Sequence, residues 1–268
     1  MSDPLAQKRP PELMTRIVTA AGLIAVALAA IAFGGLAFWL IMIVLGMVMM
    51  AEWSDLVGAT ANTKRMALYA LVVPLAIMAP GLGAGPGFLA LGLIGAGFFF
   101  VGATTRSSWL AGGIVYVAIP VLALLLIRQQ KDIGLVYTLW TLALVWMCDI
   151  GAYFAGRFIG GPKLAPRVSP NKTWAGLIGG MAAAALFAVA MHYGAGLGKA
   201  AVLATPFLAV LAQGGDLFES WLKRRAGAKD SGTLLPGHGG VLDRLDGLVP
   251  VAPVAALLVV VLPKLVTF

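Results

Sequence analysis

Nine apolar stretches, each near the length of a bilayer crossing, follow one another along this chain: 16–33, 35–51, 66–80, 87–103, 109–127, 133–155, 173–192, 200–219 and 247–266. A helix needs about 20 mostly apolar residues to cross the hydrocarbon core. Within lipid the backbone must satisfy its own polar groups, so such stretches fold as helices rather than as open strands. Composition removes the soluble alternatives. Residues of the AVILMFWYC set make up 60% of the 268 positions and charged residues only 11%, where a globular surface needs about 25% charged. Disordered, collagen-like and soluble nucleic-acid-coating proteins are excluded with it, and no nucleic-acid partner is expected. The expected fold is all-α, a polytopic integral membrane protein with about nine transmembrane helices.

The cations give the orientation. With the N-terminus cytoplasmic, only Arg128, Lys131, Lys199 and Lys264 fall on the outer side, and the other fifteen of the 19 lysines and arginines lie inside. That is the positive-inside pattern. The net charge of +8 is read as basic loops lying against anionic lipid. Spans one and two meet at Phe33-Gly34-Gly35, which predicts a tight helical hairpin, and Pro74 blurs the limits of span three. No cleaved signal peptide is expected, since the first apolar run lacks a small-residue site followed by polar sequence.

Several features call only for structural readings. Cys148 is the single cysteine, so there is no disulfide framework and no cysteine-based zinc site. His192 and His238 are the only histidines, which removes a multi-histidine metal centre, and His192 and Cys148 are read as structural. Gly81–Gly87 superficially resembles a phosphate loop but has no strand before it and no lysine. Gly176 and Gly180 have the small-xxx-small spacing of close helix contact.

The carboxylates are less easily dismissed. Six of eleven lie between residues 149 and 246, at or near the cytoplasmic ends of spans six, eight and nine. Asp149, Asp216 and Glu219 fall within or beside apolar runs, where a carboxylate at mid-bilayer costs about 2.5–3.5 kcal/mol. Glu52 is balanced evenly between a structural and a functional role. Asp216 and Glu219 are three apart and share a helix face, and Asp243 and Asp246 repeat the spacing. Between the pairs run Ser220-Trp221-Leu222-Lys223-Arg224-Arg225, Lys229-Asp230 and Pro236-Gly237-His238-Gly239-Gly240. Hard carboxylate oxygens suit Mg²⁺, lysine and arginine suit phosphate oxygens, and glycines admit backbone N–H groups close to an anion. A basic loop on lipid headgroups would explain the cations but not the aspartates and the Gly-His-Gly-Gly turn among them. The cluster reads as a metal-assisted phosphate site.

Residues 220–246, SWLKRRAGAKDSGTLLPGHGGVLDRLD, resemble the signature of the phosphatidate cytidylyltransferase (CDP-diacylglycerol synthase) family: Ser-x-apolar-Lys-Arg, four residues, Lys-Asp, then His-Gly-Gly, ending Asp-Arg-apolar-Asp. Gly215–Ser220 and the segment 149–180, with Asp149, Tyr153, Gly156 and Ser169–Gly176, are similar to the family as well. The chain departs from it at Ala175, where many members are acidic, and at Asn171, often lysine. Over the first 140 residues the resemblance is only compositional.

The resemblance implies the reaction CTP + phosphatidic acid → CDP-diacylglycerol + pyrophosphate with Mg²⁺, one ion or two, within phospholipid biosynthesis. It implies a single membrane domain over 1–268. Helices of 1–140 would provide membrane embedding and dimer contacts, and 141–268 the catalytic helices and cytoplasmic loops. Asp216 and Asp243 would hold the cation, with Asp246 and Glu219 as further ligands. Lys223, Arg224, Lys229 and Arg244 would divide the phosphates, with Ser220 beside them, and His238, Gly239 and Gly240 would close on one of them. Ser169, Lys172, Thr173 and Asp149 would form a second wall. The expected setting is the cytoplasmic (inner) membrane with the site facing the cytoplasm, membrane lipids around it, and a homodimer. Two other readings stay open. One is a cytidylyltransferase for another lipid phosphate; the other is a cation-coupled transporter, which leaves residues 220–246 without a purpose. A CDP-alcohol phosphotransferase fits poorly, because its Asp-Gly-x-x-Ala-Arg run is absent.

Overall fold

A computed structural model describes residues 25–232 and 239–262, and they are overwhelmingly helical. In chain order the helices are α1 (25–33), α2 (Gly35–Leu56), α3 (Ala61–Ile77), α4 (Phe88–Thr105), α5 (Ser108–Arg128) and α6 (Gly134–Phe158). A hairpin of β1 (Lys163–Ala165) and β2 (Ser169–Thr173) follows, then α7 (Trp174–Ala195), α8 (Lys199–Arg225), the short α9 (Leu242–Leu245) and α10 (Leu248–Ala256), which runs on as a π-helical turn, Leu257–Val261. Among the described residues, six helices are long and apolar enough to cross a membrane: α2, α4, α5, α6, α7 and α8. This is an all-α membrane protein, with a helix at each apolar stretch of the sequence that the described residues cover.

Boundaries shift where local chemistry outweighs hydropathy. Helix α3 begins at Ala61 because Thr60 caps it, its hydroxyl accepting from the Thr63 N–H at 3.3 Å, and an exposed Asp55–Lys64 ion pair at 2.7 Å ties its start to α2. Helix α8 runs on to Arg225, beyond the apolar stretch, carrying Ser220 and Lys223 as helical residues. At Gly34 the chain breaks with φ 62°. There Arg128 closes over the glycine and donates from Nε to the Ile31 carbonyl at 2.7 Å and from Nη2 to the Ala32 carbonyl at 3.0 Å. The break falls at the expected hairpin, with carbonyls that α1 leaves unsatisfied taken by a cation.

Helix α5 is the most enclosed, its faces filled from Leu110 to Ile127, with α2, α4 and α10 against it. Outer helices leave large apolar side chains uncovered, among them Phe88, Leu186, Tyr193 and Phe207. An apolar surface this extensive is at home in lipid and not in water. Buried indoles find partners, Trp53 donating to the Trp109 carbonyl at 2.8 Å and Trp140 to Thr205 Oγ1 at 3.0 Å.

Helices α6 and α7 touch backbone to backbone. A Cβ on Gly180 would lie 2.8 Å from the Cys148 carbonyl oxygen, and one on Gly179 would run into Ala155 Cβ. The Gly176–Gly180 spacing thus serves close helix contact. That approach fixes the hairpin that leads into α7 over the end of α6.

Candidate active site

The site is assembled at one end of α6 and α8 by three separate segments. The first is the β1–β2 hairpin, which the sequence did not announce: an antiparallel pair in which Lys163 faces Thr173 and Ala165 faces Ser169. It hands β2 straight into α7, where the Thr173 hydroxyl caps the helix by accepting from the Gly176 N–H at 3.0 Å. Thr173, expected to contact substrate, thus caps α7 and also stands on the wall of the cavity described below. Its neighbour Lys172 points the other way, toward α8.

Lys172 Nζ lies 2.7 Å from Asp216 Oδ2 and 2.9 Å from Gln213 Oε1. Gln213 Nε2 donates to Asp149 Oδ1 at 3.3 Å, and Ser220 Oγ donates to Asp216 Oδ1 at 3.3 Å. Hence Asp149, Lys172, Asp216 and Ser220 form one connected group, with Gln213 at its centre. Gln213 belongs to no expected set, yet it was the one amide in an otherwise apolar run and stands three residues before Asp216 on the same helix face. Asp149, Lys172, Gln213 and Asp216 line a cavity of about 580 Å³ together with Tyr153, Gly156, Arg157, Asn171 and Thr173. Ser169 lies at the start of β2 and does not line that cavity.

After the hairpin and the facing parts of α6 and α8, the third segment is the loop after α8 with α9. Lys223 Nζ reaches Asp243 Oδ1 at 2.6 Å and Glu219 Oε2 at 3.4 Å. Asp243 Oδ2 accepts from the Ser231 N–H at 2.9 Å and the Gly240 N–H at 2.8 Å. Burial pushes the Asp243 carboxyl up, but the Lys223 ammonium and those two N–H groups outweigh it and hold it at about 2. Both oxygens of Asp243 are thus taken by protein donors. Three of its four acceptor positions are filled in this way, which leaves one on Oδ1 for a cation. Gly239 and Gly240 belong to the same packed loop. A Cβ on Gly240 would strike Ser231 Oγ, and one on Gly239 would lie 2.9 Å from Asp243 Oδ2, so the space these glycines leave is filled by the loop itself.

Glu219 and Asp246 behave differently. Their carboxyls lie close enough to act on each other electrostatically, Glu219 is 1% exposed, and its Oε1 has no hydrogen-bond partner. Burial pushes the Asp246 carboxyl up, and the nearby Asp216 charge adds to the effect. Two buried carboxyls face to face need a proton or a cation between them. Among the described residues no three His, Cys, Asp or Glu side chains gather round one point. The expected four-carboxylate set is therefore divided, with Asp216 on Lys172, Asp243 on Lys223, and Glu219 with Asp246. A pair of carboxylates still fits Mg²⁺, which takes one or two of them and completes its shell with phosphates and water.

Arg224 at the end of α8, Lys229 on the loop after it and Arg244 on α9 are exposed. His238 lies outside the described residues. One further participant comes from the other half of the chain. Glu52, buried on α2, accepts from the Val241 N–H at 2.9 Å, the Leu242 N–H at 2.7 Å and Ser231 Oγ at 3.1 Å.

A profile of the cytidylyltransferase family matches residues 14–262. The chain belongs to the cytidylyltransferase family. A phosphatidate cytidylyltransferase of Brucella suis biovar 1 is 44% identical to it over 248 residues, 90% of each chain. Those of Bacillus subtilis and Haemophilus influenzae are each 45% identical over 130 residues, covering 47% and 45% of this chain and 48% and 44% of their own. For a cytidylyltransferase the interleaving of ammonium groups and carboxylates has an obvious use, since both substrates are polyanions.

Proposed function

We propose that this chain transfers CMP from CTP to phosphatidic acid, giving CDP-diacylglycerol and pyrophosphate. The observation that carries the reading is the meeting of Lys172 and Lys223 with Asp149, Asp216, Glu219, Asp243 and Asp246 at one end of the helix bundle. The phosphatidic acid monoester has a second pKa near ~6 and is largely dianionic at pH 7, so its oxygen attacks the α-phosphorus of CTP without a strong general base. The bond from that phosphorus to the oxygen bridging to the β-phosphorus breaks, and pyrophosphate leaves with the electron pair. The protein's task is to hold two anions together and to stabilise charge on the leaving group.

Lys172, paired with Asp216 on the wall of the large cavity, orients one phosphate there. Lys223, held by Asp243, meets another from the loop side, and Arg224, Lys229 and Arg244 draw the substrates in from water. Glu219 and Asp246 would hold Mg²⁺, with Asp216 beside them. Bound there, the ion supplies charge neutralisation for the phosphates. A second ion, the contact of His238 with a phosphate and the homodimer belong to the same proposal. So do nine spans with a cytoplasmic N-terminus and a site facing the cytoplasm across the inner membrane, on the strength of the lysine and arginine distribution.

The test is a product assay on detergent-purified protein with phosphatidic acid, CTP and Mg²⁺, with ATP and EDTA as controls. Pyrophosphate and CDP-lipid should appear together, only with CTP, and vanish in EDTA. A folded sample that makes neither across varied lipid phosphates would refute the reading.

A further inference from the structure

Glu52 lies outside every motif by which the site was found, in a helix whose other residues embed the protein. We propose that Glu52 is a positioning residue, which holds the Asp243 loop closed from the N-terminal half of the molecule. The role rests on the reaction proposed above.

The geometry is that of a clamp. Oε1 accepts from the Val241 N–H, and Oε2 from both the Leu242 N–H and Ser231 Oγ. Val241 and Leu242 begin α9, whose first N–H groups have no side-chain cap of their own and would otherwise be left without acceptors. Ser231 belongs to the opposite arm of the loop, so one carboxylate grips both arms. From Ser231 the link continues to Asp243, whose N–H donates to Ser231 Oγ at 3.3 Å while its Oδ2 accepts from the Ser231 N–H. Asp243 in turn fixes Lys223. The chain of contacts therefore runs from Glu52 to the ammonium group that meets substrate.

Two further observations show that the loop is shaped around this side chain. A Cβ on Gly232 would lie 2.5 Å from Glu52 Oε1, and one on Gly240 would lie 2.7 Å from Oε2. Gly240 is thus required by the carboxylate seated beside it. Glu52 itself is held firmly, because the next residue, Trp53, anchors α2 to α5 through the Trp109 carbonyl at 2.8 Å. Three donors converge on two oxygens, and an amide offers only one acceptor, so glutamine must aim an NH₂ at a donor.

The experiment compares Glu52→Gln, Ser231→Ala and the control Asp55→Asn in the full chain in detergent. Asp55 sits on the same helix in an exposed pair with Lys64. For each, kcat and KM per folded molecule are measured, with the rate of trypsin cleavage at Arg225 and Lys229 and the thermal midpoint. One buried donor is left unsatisfied, so Glu52→Gln should lower kcat on the order of 30-fold. KM should stay within about threefold of the original, and loop cleavage should quicken without loss of the folded bundle. Ser231→Ala should move the same way by less, and Asp55→Asn should move nothing. Unchanged kcat and unchanged cleavage in Glu52→Gln would overturn the proposal, as would a kcat per folded molecule that is normal in a protein merely less stable. Should Glu52→Gln not fold, unchanged kcat and cleavage in Ser231→Ala would overturn it equally. If the wild-type protein makes no CDP-lipid, the reaction reading fails, while the cleavage rates still decide whether Glu52 holds the loop.

Discussion

Replacing Asp243 by asparagine removes one negative charge from a side chain 8% exposed and changes almost no volume. Its carboxyl is held at about 2 against an ordinary 3.8, which corresponds to about 2.5 kcal/mol in favour of the charged form. Asparagine can keep its oxygen toward the Ser231 and Gly240 N–H groups, and its NH₂ then faces the Lys223 ammonium, donor against donor. A loss near 2.5 kcal/mol is about a 70-fold fall in the population of correctly placed Lys223. Turnover in Asp243→Asn should fall by about that factor or more, with the bundle still folded. The assay is CDP-lipid formation at saturating CTP and phosphatidic acid, across a Mg²⁺ titration. Near-normal turnover would refute the reasoning outright. Turnover restored by high Mg²⁺ would refute it in another way, since it would make Asp243 chiefly a metal ligand rather than the anchor of Lys223. The sign of the pH effect follows too. A depressed carboxyl contributes stability above its unfolded value and loses it as pH falls toward about 2. The loop of the wild type should therefore loosen between about pH 4 and 2, and that of the variant should not respond there.

Gly179→Ala places a methyl group against Ala155 between two backbones that cannot retreat. It should destabilise the protein by about 1–3 kcal/mol, read as a lowered thermal midpoint in detergent, and an unchanged midpoint would show that α6 and α7 separate easily. For the orientation, single cysteines at Gln130 and Ala226 on a Cys148→Ser background should label from the outer and the cytoplasmic side respectively. Labelling of both from one side would break the span count.

Features of this molecule that depend on neighbouring residues were visible in its sequence. An apolar run of bilayer length must be helical whatever surrounds it, so the long helices within the described residues were legible, and the loop between α8 and α10 stood out by its charge, though the short α9 within it did not. Glu52 and Gln213 left a weaker signal, each a polar residue in an apolar run, and neither showed what it would bind. The β1–β2 hairpin left none, because its five-residue strand Ser169–Thr173 has no alternation and draws its shape from the glycine contacts that hold α7 on α6.

Sequence alone therefore determined that the chain is a bundle of membrane helices carrying phosphate chemistry at one end. Those properties depend on hydropathy and charge over neighbouring residues. Tertiary structure decided which carboxylate does what. Asp216, Glu219, Asp243 and Asp246 look alike in the sequence, but Lys172 takes the first, Lys223 and two backbone N–H groups take the third, Lys223 reaches the second at 3.4 Å, and the fourth accepts from the Gly247 N–H. The role of a carboxylate is fixed by the donors within about 3 Å of it, and here those donors come from segments far apart in the chain.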